Sequence, residues 1–188
     1  MTVRKLSIKT FSDIAISRVI REVIPVFLFS GLTIIAAKIR IPLPWTPVPI
    51  TLQTIPVLLS GVWLGSIRGS LSQWIYISLG MIGLPVFSSD QVGFSILFSP
   101  TAGYLIGFLI APLLAGWLYR YSHQKWYSSA GILWISSLII FAFGLSNLIV
   151  FHGFSLSKAL TVGFYPFIIG DLLKIGFSTS LLQLKKHR

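Results

Sequence analysis

Gly170-Asp171-Leu172-Leu173-Lys174 lies inside an otherwise apolar run from Ala159 to Leu184. A run of about 20 apolar residues is long enough to cross the hydrocarbon core of a bilayer. Asp171 is one of only four carboxylates in the 188-residue chain, and it falls where that core would be. Charge at membrane depth is costly, so such residues are rare, turned inward and a default sign of function. Asp171 and Lys174 are three residues apart and share one helical face. They read either as a self-neutralising ion pair that fastens the helix or as two ligand-facing groups. Gly170 bares backbone beside Asp171, and Pro166 frees carbonyls just upstream. Both features favour a ligand-facing pair.

The rest of the chain supports a membrane setting. It is 54% hydrophobic and only 10% charged, whereas soluble domains carry about a quarter charged residues. The net charge of +11 does not point to nucleic acid, because the basic residues sit between apolar runs and at the chain ends. There is no cysteine, hence no disulfide framework and no cysteine metal site. Residues 1–22 form a basic segment with Arg4, Lys5, Lys9, Arg18 and Arg21. It reads as an amphipathic surface segment or a cytoplasmic tail, with no h-region of a cleavable signal. Residues 23–188 read as a single membrane domain.

That domain is expected to be all-α, an integral membrane bundle of six transmembrane helices. The spans fall at about Val23–Ala37, Thr51–Ser66, Ser70–Leu84, Thr101–Tyr119, Ser129–Phe151 and Leu160–Leu184, with a tight turn at Arg68 and an interruption near Pro166. Four prolines in the eight residues 42–49 exclude a helix there. That segment is nonetheless uncharged, so it reads as a stiff loop folded over the bundle. Six spans place both termini on one side, with eleven basic residues there against Lys38, Arg40 and Lys158 on the other. The asymmetry predicts cytoplasmic N- and C-termini. The Pro-rich loop and the loop carrying Asp90 then cap an outward-facing pocket, with Asp171 and Lys174 at its floor or wall.

Several smaller signals bear on that pocket. Gly61 with Gly65 and Gly103 with Gly107 are small-xxx-small pairs, which mainly permit close helix packing. Gln53 either caps the Pro-rich loop or reaches the pocket. Thr101 reads as an N-cap and Tyr104 as an interfacial aromatic. Gln73 and Asn147 read as helix–helix hydrogen bonds, and His152 as an interface histidine. The chain has no Gly-x4-Gly-Lys-Ser/Thr, His-Glu-x-x-His or Gly-x-Ser-x-Gly motif. No catalytic or metal constellation assembles, so an enzyme is not expected.

Four segments carry a family resemblance: Ile41-Pro-Leu-Pro-Trp-Thr-Pro-Val-Pro-Ile-Thr-Leu-Gln-Thr54, Gly80-Met-Ile-Gly-Leu-Pro-Val-Phe87, Ser99-Pro-Thr-Ala-Gly-Tyr-Leu-Ile-Gly-Phe108 and Gly170-Asp-Leu-Leu-Lys174. In this order they resemble the BioY family, the biotin-specific S components of energy-coupling-factor (ECF) transporters. The resemblance implies a six-helix S-component bundle in the bacterial cytoplasmic membrane that binds biotin from outside. Its partners would be the lipid bilayer, a transmembrane coupling subunit and ATPase subunits. Biotin would be cargo, with no cofactor. The resemblance assigns biotin contact to Asp171 and Lys174, and less firmly to Gln53, Thr101, Gly103 and Tyr104. Two alternatives are a solitary or oligomeric biotin carrier without the ATPase module, and a non-transporting vitamin-binding membrane protein.

The chain departs from the family at two places. Ala102-Gly103 stands where the family has Gly-Gly. In span 1, where S components dock through an Ala-x-x-x-Ala surface, Ile34 and Ile35 stand at places expected to be small; Thr33 with Ala37 remains as a small pair, and Gly31 is available. A further hypothesis is that Lys38 or Arg40, at the outer rim, draws the ligand's carboxylate in. Unchanged initial uptake in Lys38→Gln and Arg40→Gln across ionic strengths would remove it.

Overall fold

The computed structural model describes residues 17, 19–89 and 91–186. Most of the basic segment 1–22, and Asp90, lie outside them. Helix α1 (Ile24–Lys38) is followed by a hairpin of β1 (Arg40–Ile41) and β2 (Ile50–Thr51), then α2 (Thr54–Leu64) and α3 (Ser66–Met81). A 3-10 turn at Gly93–Phe98 leads into α4 (Ala102–Arg120) and α5 (Trp126–Val150). The final stretch is α6 (Leu156–Gly163) and α7 (Tyr165–Lys186). The fold is thus overwhelmingly helical. Helix α4 is central and packs on α2, α3 and α5, while α1 packs on α3 and α7 on α5.

Among the described residues, four helices are long and apolar enough to cross a membrane: Val19–Lys38, Ala102–Arg120, Trp126–Val150 and Tyr165–Leu184. By the same measure α2 and α3 fall short of the expectation of six spanning helices. At 1.5 Å per residue α2 is only ~16 Å long and α3 ~24 Å, against a hydrocarbon core of about 30 Å. The turn between them is at Gly65, not at Arg68. Gly65 has φ +86°, which glycine adopts at little steric cost. Arg68 belongs to the first turn of α3 and ion-pairs with Glu22.

The small-residue pairs separate into two uses. A Cβ at Gly61 would collide with the backbone of Pro112 on α4. One at Gly103 would meet the Phe143 carbonyl and Asn147, and one at Gly107 would meet Ile140, all on α5. These three glycines let helix backbones approach closely. Gly65 has open space around it and serves the turn.

The amides at membrane depth tie elements together. Thr33 Oγ1 donates to Gln73 Oε1 at 3.2 Å, joining α1 to α3. Asn147 Nδ2 donates to the carbonyls of Ser99 at 3.1 Å and Pro100 at 3.3 Å, joining α5 to the approach to α4. Thr33 and Ala37 are both fully buried. The small pair of α1 therefore faces the bundle, and Leu32 and Ile35 occupy the outward face.

Candidate functional site

The Pro-rich segment is a hairpin, with Arg40 opposite Thr51 and Ile41 opposite Ile50. Its prolines leave few N–H donors, so its order comes from outside contacts. Thr46 Oγ1 accepts from Val48 N at 3.1 Å and donates to the Val162 carbonyl at 2.6 Å. That carbonyl is available because Pro166, four residues on, has no N–H to give it. The next carbonyl is also released, since Phe167 N bonds to Phe164 O. Tyr104 O–H donates to this Gly163 carbonyl at 2.8 Å. The chain breaks at Phe164, between α6 and α7. The carbonyls freed by Pro166 thus pin the hairpin tip and orient Tyr104.

Beneath the hairpin is a pocket whose walls are mostly aliphatic and aromatic, among them Val48, Phe87, Ile96, Tyr104, Phe141 and Phe167. Its polar lining includes Thr51, Gln53, Thr54, Tyr76, Thr101 and Lys174. Gln53 precedes α2 without capping it; its Nε2 donates to Tyr76 O–H at 2.7 Å. Tyr76 is fully buried, with its ring edge-on to Phe87 at 5.6 Å. Phe87 fits there because Gly80 has no side chain to occupy its place. Thr101 does not cap α4; its Oγ1 lies 2.9 Å from Ser99 Oγ. Tyr104 is buried, not interfacial.

Lys174 projects into this pocket with its side chain 13% exposed, while Asp171 is fully buried behind it. Asp171 Oδ2 accepts from Ser137 Oγ on α5 at 2.5 Å. Asp171 Oδ1 is 3.7 Å from Lys174 Nζ, outside hydrogen-bond range. Lys174 Nζ instead donates to the Thr51 carbonyl at 3.2 Å. A polar line therefore runs from α5 through Ser137, Asp171 and Lys174 to the hairpin. The looseness of the ion pair leaves an ammonium with donor capacity facing the pocket, and a carboxylate close enough to stabilise it.

Of the six residues expected at the site, Gln53, Thr101, Tyr104 and Lys174 line the pocket together. Asp171 stands behind Lys174, and Gly103 sits in the α4–α5 contact. Sequence reasoning missed Tyr76, Ser137 and Thr54. The Thr54 hydroxyl is buried beside Asp171. In sequence, Thr54 was legible only as the residue after Gln53; nothing marked Tyr76 or Ser137.

The pocket encloses about 60 Å³. That is room for a few waters at ~10–15 Å³ each, well below the ~300 Å³ and upward of small-molecule sites. A second, outer cavity of about 410 Å³ lies above it, lined by Arg40, Thr46, Ser88, Ser89 and the hairpin prolines. Pro49 and Ser88 line both.

Comparison with known proteins places this arrangement. The BioY family model matches residues 4–188. The biotin transporter BioY of Thermotoga maritima is 38% identical over 168 residues, covering 88% of this chain and 96% of its own. The probable biotin transporter BioY of Pyrococcus horikoshii is 40% identical over 154 residues, covering 82% and 89%. In fold, the chain is similar to the crystal structure of the S-component for biotin from an ECF-type ABC transporter. The TM-score is 0.83 at 24% identity, over 92% of this chain and 94% of that one. With the match running almost end to end and the hairpin, pocket and Lys174 in place, the chain belongs to the BioY family.

Proposed function

We propose that this protein binds biotin in the pocket beneath the hairpin and serves as the substrate-specific subunit of an ECF-type importer. The observation that carries the reading is Lys174, an ammonium on the wall of an otherwise largely apolar pocket and backed by the buried Asp171. Biotin has a ureido ring with two N–H donors and one carbonyl, a thioether ring, and a valerate carboxylate. Lys174 suits the ureido carbonyl or the carboxylate, and Gln53, Tyr76, Thr54 and Thr101 offer hydrogen-bonding groups for the rest. Aromatic walls suit the rings and the alkyl chain. Asp171 acts through Lys174 or, once the pocket opens, accepts from the ureido N–H groups. Gly103 contributes by letting α4 and α5 close behind Tyr104.

In this reading the chain is one multi-pass membrane domain with six spans and cytoplasmic termini, in the bacterial cytoplasmic membrane. The short α2 and α3 cross with help from the hairpin and the Val86–Ser99 loop, which fill the outer depth that these helices do not reach. The distribution of basic residues, eleven against three, supports this orientation. ATPase and coupling subunits supply energy. A second reading, a carrier that works without them, is favoured by one observation: α1 turns its small pair inward and shows Leu32 and Ile35 outside.

Proteoliposome uptake of labelled biotin decides between them. ATP-dependent uptake only with the coupling and ATPase subunits is the expected result. Equal uptake by the chain alone supports the second reading, and no uptake in either arm contradicts both.

A further inference from the structure

We propose that the turn between α4 and α5 is a binding site for the phosphodiester headgroup of an anionic phospholipid. Both helices are long and apolar enough to cross a bilayer, so the turn that joins them lies at headgroup level. In the orientation proposed above, that level is the cytoplasmic leaflet, where anionic lipids lie. The turn is rich in the two residue types that such a level selects. Trp117, Tyr121, Trp126 and Tyr127 are exposed aromatics, and Arg120, His123 and Lys125 are exposed between them.

Among the described residues, the two cations have no carboxylate to meet. The sequence has no acidic residue from Gln91 to Gly170. Of the acids among the described residues, Glu22 pairs with Arg68 and Asp171 is buried beside Lys174. Arg120 and Lys125 rest on rings instead. The Arg120 guanidinium lies 5.9 Å from the centroid of Tyr121, whose ring meets Trp117 edge-on at 5.8 Å. Lys125 Nζ lies 5.9 Å from the centroid of Tyr127. A ring face attracts a cation but leaves N–H donors free. The end of α4 does not use those donors either. Its Leu118 and Tyr119 carbonyls accept from the backbone N–H groups of Tyr121 and Ser122, and Tyr119 also from the Ser122 hydroxyl.

The backbone holds this display in place. Gln124 has φ +52°, and among the described residues it is the one non-glycine residue with a positive φ. Such an outlier is uncommon and points towards function. Its N–H donates to Ser122 Oγ at 3.2 Å, and its carbonyl accepts from Gln183 Nε2 on α7 at 3.3 Å. The reversal is thus braced by its own hydroxyl and by a third helix, and the cations are mounted on a fixed frame.

A phosphodiester fits that frame. An arginine fork meets two phosphate oxygens at once, and a lysine adds a point charge. His123 offers a further ring nitrogen. The exposed indoles and phenols suit the boundary between headgroups and acyl chains, which a soluble anion does not require. This favours a lipid over a free phosphate. A lipid seated there fixes the depth of α4, whose other end brings Thr101 and Tyr104 to the pocket.

Native mass spectrometry of the full chain, released from detergent with added lipid, tests the site. One dioleoylphosphatidylglycerol is expected to bind at least about tenfold more tightly than dioleoylphosphatidylcholine, as two cations at an anionic surface allow. Arg120→Gln with Lys125→Gln should abolish the preference. Arg120→Lys with Lys125→Arg keeps both charges and should keep it. Arg68→Gln lowers the charge of the same side away from the turn, and should leave the preference within about twofold. Equal binding of the two lipids by the parent overturns the site, as does an equal loss in Arg68→Gln and the Gln pair. Displacement of the lipid by excess glycerol 3-phosphate would make the turn a site for soluble anions. Lipid preference that survives in the Gln pair, while assembly with the coupling subunit fails, would make it a protein contact. Either result also overturns the proposal. Biotin enters none of these readings, so they are independent of the proposed function.

Discussion

Lys174→Ala should weaken biotin binding by at least about tenfold, roughly 1.4 kcal/mol, and Asp171→Asn should do the same by a different route. Lys174 is the cation on the pocket wall, and hydrogen bonds to charged groups contribute about 1.5–3 kcal/mol when desolvated. Removing it takes away the proposed ligand contact and also releases the Thr51 carbonyl. Asp171 is fully buried, bonded to Ser137 and 3.7 Å from Lys174. Its replacement leaves the ammonium with no carboxylate beside it, and breaking a buried pair in this way costs about 3–5 kcal/mol. The two variants should therefore separate in stability. Lys174→Ala should melt below Asp171→Asn, because it leaves the fully buried Asp171 carboxylate with no cation, whereas the lysine in Asp171→Asn keeps its bond to the Thr51 carbonyl. Equilibrium binding with thermal unfolding in the same detergent checks both. Wild-type affinity in both variants would return the pair to a purely structural role.

Gly61→Leu should be the most damaging substitution in the helix packing. The new Cβ would fall on the carbonyl, Cα and carbonyl carbon of Pro112, all backbone atoms of the central helix α4. Backbone cannot rotate aside as a side chain can, and overpacking of a filled core costs about 1–3 kcal/mol even where side chains yield. A cost of about 3 kcal/mol corresponds to a fall of roughly 6–12 °C in Tm for a chain of this size. Gly31→Leu is the matched control, since nothing lies within 4 Å of a Cβ there. A Tm for Gly61→Leu within about 2 °C of the parent would contradict the close approach of α2 and α4.

The parts of this molecule legible in the sequence are those that break a local rule. A carboxylate and a cation in an apolar run, a cluster of prolines between spans and a proline within the last span each conflict with a simple membrane helix. They led to Lys174, the hairpin and the break at Phe164. The parts that stayed hidden obey every local rule. Ser137 is one of many serines in an apolar helix, and its partner Asp171 is 34 residues away. Thr46 reaches a carbonyl 116 residues away. Tyr76 sits on a helix whose face gives no sign of a pocket. Such pairings are fixed by how helices pack, and no periodicity encodes them. The turn misplaced at Arg68 has the same lesson on a smaller scale, because a charge suggested the boundary and a glycine made it. Lys38 and Arg40 were read as rim charges; their carbonyl partners lie 49 and 48 residues on, beyond the reach of spacing arguments.

The central claim is that biotin occupies the pocket between the hairpin and Lys174. Its most direct test is labelling of Thr101→Cys, whose thiol is the only one in the variant because the parent has no cysteine. The measurement is the rate of modification by a water-soluble maleimide in nanodiscs, with saturating biotin, with thiamin, and with no addition. Biotin is predicted to slow labelling at least about tenfold while thiamin leaves it unchanged. Equal rates in all three conditions, with biotin bound, would place the ligand elsewhere and contradict the account.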